Sequence, residues 1–119
     1  MKRVVLESPF AGNIDRNVAY AKMCIRDMLR RGEAPIASHL LFTQPGILND
    51  DDAEQRKLGI AAGHAWLSVA DCIVFYVDLG MSRGMQQSME QAHNFKALEV
   101  RRLPPEQIEA LFELYPGIK

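Results

Sequence analysis

The residues that could do chemistry stand just past the ends of three apolar runs. Ser8, Pro9, Phe10, Gly12 and Asn13 follow RVVLES (3–8), His39 follows APIAS (34–38), and Asp78 then Ser82-Arg83-Gly84 follow CIVFYV (72–77). A loop between a strand and a helix N-terminus offers free backbone N–H groups and the positive end of a helix dipole, a setting that suits an anion. Ser8, Gly12 and Asn13 therefore fit a phosphate or a sugar hydroxyl; they fit equally an ordinary loop whose turn is set by Pro9 and Gly12. Ser82-Arg83-Gly84 offers a second anion site. Gly84 permits close backbone approach and Ser82 can cap the helix or donate to a ligand, two compatible roles. His39 is placed either to touch a ligand or to bond a backbone carbonyl. Asp78 could bind a base or sugar, while Asp71 closes the segment before the third run.

Several kinds of site are disfavoured by what the chain does not contain. The first loop has neither GxGxxG nor the Walker pattern, which argues against a common dinucleotide fold or a P-loop ATPase. His39, His64 and His93 are not at metal-ligand spacing and the two cysteines do not join them, so neither a metal nor a cofactor is expected. Cys24 and Cys72 sit in apolar periodic segments and read as reduced core thiols. A net charge of −1 gives no general attraction to a nucleic-acid polymer or a membrane surface. Arg26, Arg30 and Arg31 alternate with Asp27 and Glu33, as on a solvated helix face. The three-residue apolar run before Glu7 is too short for a signal core, and nothing approaches the ~20 apolar residues of a membrane span. A cytoplasmic location is the expectation.

The elements that must position these residues alternate along the chain. A strand over 3–8 is followed by a helix capped by Asn13 or Asp15 and running to about Arg31, with Val18, Ala21, Cys24, Ile25, Met28 and Leu29 as its apolar stripe and Gly32 as terminator. A strand over 34–38 leads into a loop through Pro45-Gly46. Residues 51–70 read as a helix with Asp52 and Gln55 near a capping box and with Leu58, Ala62, Ala65 and Val69 buried. Its Gly59-to-Gly63 stretch suits close packing on a sheet or a second subunit. Trp66 and the methionines read as core. The run 72–77 is apolar without alternation, as in a parallel strand covered on both faces. A helix from Ser82 to Asn94, a strand at 97–100 and a helix opened by Pro104-Pro105 complete the order. One domain over 1–119 is expected, an α/β fold with a parallel sheet of four to five strands and helices on both faces. In such folds ligands bind beyond the carboxyl ends of the strands, so the three loops should meet at one cleft.

The pattern LESPFAGN, NVAYA, APIASHLLFTQ, LNDDDAEQRKLGIAAG and ADCIVFYVDLGMSRGM resembles the nucleoside 2-deoxyribosyltransferase-like superfamily, nearest its small bacterial and phage branches and the deoxynucleoside 5′-phosphate hydrolases. The resemblance implies a flavodoxin-like fold, a homodimer or larger oligomer, and cleavage or transfer at the N-glycosidic bond of a deoxynucleoside or its 5′-phosphate. In these enzymes a glutamate on the helix after the third strand attacks C1′, and water or another base resolves the ester. By this resemblance Ser8, Pro9 and Phe10 match the pocket loop and Asp71 matches the aspartate before the central strand. Ser82-Arg83-Gly84 matches the version with serine, which is used towards phosphate. The nucleophile belongs four residues after the glycine, where this chain has Ser88. At ~100° per residue, Met85, Met89 and Ala92 mark the inward face, Ser88 lies about 60° from Met85 at the cleft border, and Glu90 lies about 140° away. A serine hydroxyl without a base is a poor nucleophile. Weak or absent glycosidic activity follows, and the alternatives are a non-catalytic nucleotide binder or an assembly module using the helix over 51–70. A natural loss and a deliberate Glu→Ser change fit the sequence equally.

Overall fold

Strand β1 (Lys2–Glu7) is flanked on both edges by neighbouring strands in the computed structural model, which describes residues 1–92 and 97–116. Its partners are β2 (Glu33–Ile36), in register Lys2 to Glu33, and β3 (Cys72–Tyr76), in register Val4 to Cys72. β4 (Ala97–Arg101) pairs with β3 from Cys72 to Ala97. All pairings are parallel, and the order 2-1-3-4 is that of a flavodoxin-like sheet. The five residues of β3 are all buried, which is why its sequence is continuously apolar.

The helices are α1 (Ile14–Arg30), α2 (Ser38–Leu41), α3 (Ala53–Leu67), α4 (Arg83–Ala92) and α5 (Pro105–Leu114). Alternation along the strands divides the core between two faces. Val4, Leu6, Cys72, Val74 and Tyr76 pack with Tyr20, Cys24 and Met28 of α1 and Leu111 of α5. Val5, Ile73 and Phe75 pack on the other side with Met85 and Ala92 of α4, and Leu67 at the end of α3 adjoins them. Both cysteines are buried and neither is in a disulfide. Asn13 caps α1 by accepting from Arg16 N at 3.2 Å, Asp52 caps α3 through Gln55 N at 3.2 Å, and Gly32 adopts the left-handed φ of +80° that ends α1.

The structure departs from the sequence expectations at four places. His39 lies on the short helix α2 rather than in a loop, and β2 ends two residues early, at Ile36. Helix α3 buries no residue: Leu58, Trp66 and Val69 are 61%, 47% and 46% exposed, so the expected buried face and a core role for Trp66 are both corrected. Its inward side is set instead by glycines, and Gly63 lies so close to Ser38 that a Cβ there would meet Oγ at 2.6 Å. Leu29 is exposed, and the buried face of α1 includes the polar Asn17 and Tyr20. The expected last turn of α4, His93 and Asn94, lies outside the described residues.

Two polar ties hold the edges of this sheet. Arg101 makes a bidentate pair with Glu33, both bonds 2.6 Å, joining the last residue of β4 to the first of β2. Asp78, just beyond β3, accepts from Tyr20 Oη at 2.6 Å and from Leu103 N at 3.0 Å. Among the described residues no helix is long and apolar enough to cross a membrane.

Candidate functional site

The sheet order reverses between β1 and β3, and a cavity of about 320 Å³ opens beside the carboxyl ends of those strands. Glu7 is the last residue of β1, two positions after Val5 and therefore on the face that packs against α4. Its side chain lines the cavity, and so does that of Ser88. Ser88 stands three residues after the buried Met85, which anchors α4 to the sheet. Burial raises the Glu7 pKa from 4.5 to about 7, and the nearby Ser88 hydroxyl opposes that rise by favouring the charged form.

The next residue turns to a different partner. Ser8 is buried, with Oγ 2.7 Å from His39 Nε2. Burial lowers the His39 pKa from 6.5 to about 4, so the imidazole is neutral at physiological pH. Which group donates in this pair depends on the tautomer. The loop that follows is held by Asn17, whose Nδ2 donates to the carbonyls of Phe10 at 2.8 Å and Ala11 at 3.0 Å. A buried amide is thereby satisfied by two backbone acceptors, and the loop is fixed to α1.

The opposite wall comes from α3 and α4. Ser82 Oγ accepts from Met85 N at 3.2 Å, capping α4, and Arg83 and Gly84 line the cavity beside it. Arg56 lines it from α3, so two guanidinium groups belong to the same wall system as a helix N-terminus. Phe10, Phe42, Ile60 and Leu67 supply apolar surface. This mixture, largely apolar with a few convergent polar groups, is typical of a small-molecule pocket.

The structure brings Ser8, Phe10, His39, Ser82, Arg83, Gly84, Met85 and Ser88 to this one cavity. Other residues singled out in the sequence lie elsewhere. Pro9, Gly12 and Asn13 are not in its lining: Asn13 caps α1, and Gly12 has φ +101° with open space where a Cβ would be, so it serves the turn. Asp71 precedes β3 at the far end of the sheet and accepts from Arg3 N at 2.7 Å. Asp78 is engaged by Tyr20 and Leu103 and is not in the lining. Glu90 is exposed and also outside it, in keeping with its angular offset from Met85. His39 bonds Ser8 and not Ser88. Among the described residues no three His, Cys, Asp or Glu side chains are grouped as a metal site requires.

Sequence reasoning about the strand ends missed Glu7. The signal was present in the alternation: Val5 and Glu7 share a face, and a carboxylate on the core-facing side of a buried strand needs a partner or a purpose. Arg56 was missed because the apolar stripe of Leu58, Ala62, Ala65 and Val69 pointed to a different inward side, whereas the close packing expected of the Gly59-to-Gly63 stretch occurs against Ser38 beside the cavity.

Fold and cavity define a flavodoxin-like α/β domain with a cleft at the switch point of its parallel sheet. The chain belongs to the family described as a domain of unknown function (DUF7768), whose model matches residues 2–102. No curated protein matches it.

Proposed function

We propose that the cavity binds a deoxynucleoside or its 5′-phosphate and that the protein cleaves or transfers at the N-glycosidic bond. The observation that carries this reading is convergence. Ser8 and Phe10 of the pocket loop and the Ser82-Arg83-Gly84 segment, matched to the deoxyribosyltransferase-like pattern from sequence, line a single cleft with His39, a candidate from its place past a strand end. The N-terminus of α4 with Arg83 and Arg56 suits a phosphate, and Phe10 and Phe42 suit the flat face of a base.

A non-catalytic binder is the second reading, favoured by Ser88, which lines the cavity at the position where the resemblance places a nucleophilic glutamate. Calorimetry against deoxynucleosides and their 5′-monophosphates, with chromatography of released base, separates the two. Saturable binding that prefers the monophosphates and weakens in Arg83→Ala is expected, together with base release. Binding without release favours the binder, and a flat titration with every nucleotide defeats both readings.

The proposal includes a homo-oligomer in the cytoplasm. Its support is the exposed apolar side chains of Leu58 and Trp66 on α3 and of Val69 just after it. Light scattering that finds only monomer at high concentration would remove the oligomer.

A further inference from the structure

Helix α3 forms one wall of the cleft without burying a residue, so a packed apolar face is not what holds it in place. We propose that Gly63 is the positioning residue of this wall: the side chain it lacks lets α3 seat on Ser38, which sets the width of the cleft and its preference for a phosphorylated ligand. The inference rests on the nucleotide reading above.

The contact is defined by distance. A Cβ on Gly63 would stand 2.6 Å from Ser38 Oγ and 3.3 Å from Ser38 Cβ. Turning the hydroxyl away relieves the first approach and leaves the second, which is still tighter than an ordinary contact. A larger residue at this position therefore pushes the helix outward. Both residues line the cavity, and Ser38 opens α2, whose next residue, His39, is bonded to the buried Ser8. α2 is also the element on which α3 packs most closely. Ser38 is thus a fixed point, and Gly63 is where α3 meets it.

The same face of α3 carries the cation. Arg56, Ile60, Gly63 and Leu67 follow one another at steps of three and four residues, and all four line the cavity. Leu67 packs on the core at the end of the helix, which makes that end the pivot. Gly63 lies about 6 Å from Leu67 along the axis, and Arg56 about 16 Å. Opening the shorter approach to an ordinary 3.4 Å contact moves the helix by up to about 0.8 Å at Gly63 and, by this lever, by roughly 2 Å at Arg56. A shift of that size draws Arg56 away from a phosphate held at Arg83. Phe10 and Phe42 are not carried by α3 and keep their places. Phosphate recognition is therefore lost before base recognition.

The test is calorimetry of wild type, Gly63→Ala and the double variant Gly63→Ala/Ser38→Gly with deoxynucleosides and with their 5′-monophosphates. Gly63→Ala should lose about 10-fold or more in affinity for the monophosphates and only a few-fold for the deoxynucleosides. The double variant removes the side chain that the new methyl meets and should regain most of the loss. Alanine favours a helix over glycine, so weaker binding does not come from an unwound α3. Trp66, the single tryptophan of the chain, lies three residues beyond Gly63 on α3 and reports on the helix directly. Its quenching by acrylamide should change in Gly63→Ala and return in the double variant. Thermal melts check folding, and Ser38→Val, which crowds the same contact from α2, serves as a second variant should Gly63→Ala fold poorly. Wild-type affinity for the monophosphates in Gly63→Ala, or a loss that the double variant does not recover, overturns the assignment. An equal loss for deoxynucleosides and monophosphates overturns the link to phosphate. A wild type that binds neither class defeats the nucleotide reading and the assignment with it. Trp66 quenching separates these failures: changed quenching places the fault in the ligand reading, and unchanged quenching overturns the seating of α3 on Ser38.

Discussion

Ser8 Oγ lies 2.7 Å from His39 Nε2, so the residue after Glu7 is bound to α2, while Glu7 itself lines the cavity that Ser88 of α4 also lines. Burial favours the neutral form of both Glu7 and His39, but one is an acid and the other a base. Their effects on stability run in opposite directions with pH.

Glu7 moves from 4.5 when exposed to about 7 when folded, so its contribution is present below 4.5 and lost as pH rises through 7. His39 moves from 6.5 to about 4, so its contribution is present above 6.5 and lost as pH falls through 4. Each displacement corresponds to roughly 3 kcal/mol. Between pH 4.5 and 6.5 the two slopes oppose and nearly cancel. Urea unfolding of wild type should therefore show little dependence on these groups across that window. In His39→Gln stability should fall as pH rises from 4.5 to 7, and in Glu7→Gln it should rise from pH 4 to 6.5. Parallel profiles for wild type and both variants would contradict the burial of these groups.

The loop after β1 depends on one amide. Asn17 donates to Phe10 O and Ala11 O, so Asn17→Ala leaves two carbonyls without those bonds and should cost about 1–3 kcal/mol. Asn17→Asp should be worse at neutral pH, because a carboxylate would face two carbonyl oxygens. Since Phe10 lines the cavity, both variants should also weaken nucleotide binding. Chemical denaturation and calorimetry on the same samples give the two numbers, and unchanged stability with unchanged affinity would show that the loop is held by other contacts.

How much of this was legible beforehand divides along physical lines. The alternating elements and the parallel sheet followed from periodicity and punctuation: Gly32, the apolar run 72–77 and Pro104-Pro105 each mark a boundary close to where it falls. Local signals of this kind survive folding because they concern backbone conformation. The orientation of α3 was not legible, because Leu58, Ala62, Ala65 and Val69 make a plausible helical stripe, whereas the inward side is chosen by the close approach of Gly63 to Ser38. Pairings over long separations were also invisible. Ser8 with His39 and Glu33 with Arg101 join elements far apart in the chain, and residue type alone does not choose the partner. The placement of the cleft came from the rule on strand ends, while the carboxylate within it came only from the packed structure.

The Glu33–Arg101 pair is a second long-range tie, with side chains 11% and 8% exposed. Removing one partner strands the other charge, so Arg101→Met or Glu33→Gln should cost about 3–5 kcal/mol. Replacing both with apolar residues of similar size should be far milder than the sum of the single changes. The guanidinium holds the Glu33 carboxyl below its usual 4.5, so this contribution is present above 4.5 and is lost as pH falls further. A double-mutant cycle by urea unfolding at pH 7 reads the coupling. Single-variant costs that simply add would show that the pair does not act as a unit.

Asp78 tests the difference between a site residue and a fold residue. It was a candidate for binding the base or sugar because it follows the central strand, yet Tyr20 Oη donates to one of its oxygens and Leu103 N lies within reach of both. Tyr20 Oη in turn accepts from Asp78 N at 2.9 Å, so the pair closes on itself between α1 and the turn after β3. The carboxylate also favours the protonated phenol, which burial already pushes well above its usual range. Asp78→Ala should therefore destabilise by about 2–3 kcal/mol through the loss of hydrogen bonds to a charged acceptor. Tyr20→Phe should share most of that loss, because both changes break the same contact. Nucleotide affinity and base release, measured well below the melting temperature, should stay near wild type in Asp78→Asn. A large loss of release with an unchanged melting temperature would move Asp78 from the frame of the fold into the chemistry of the cleft.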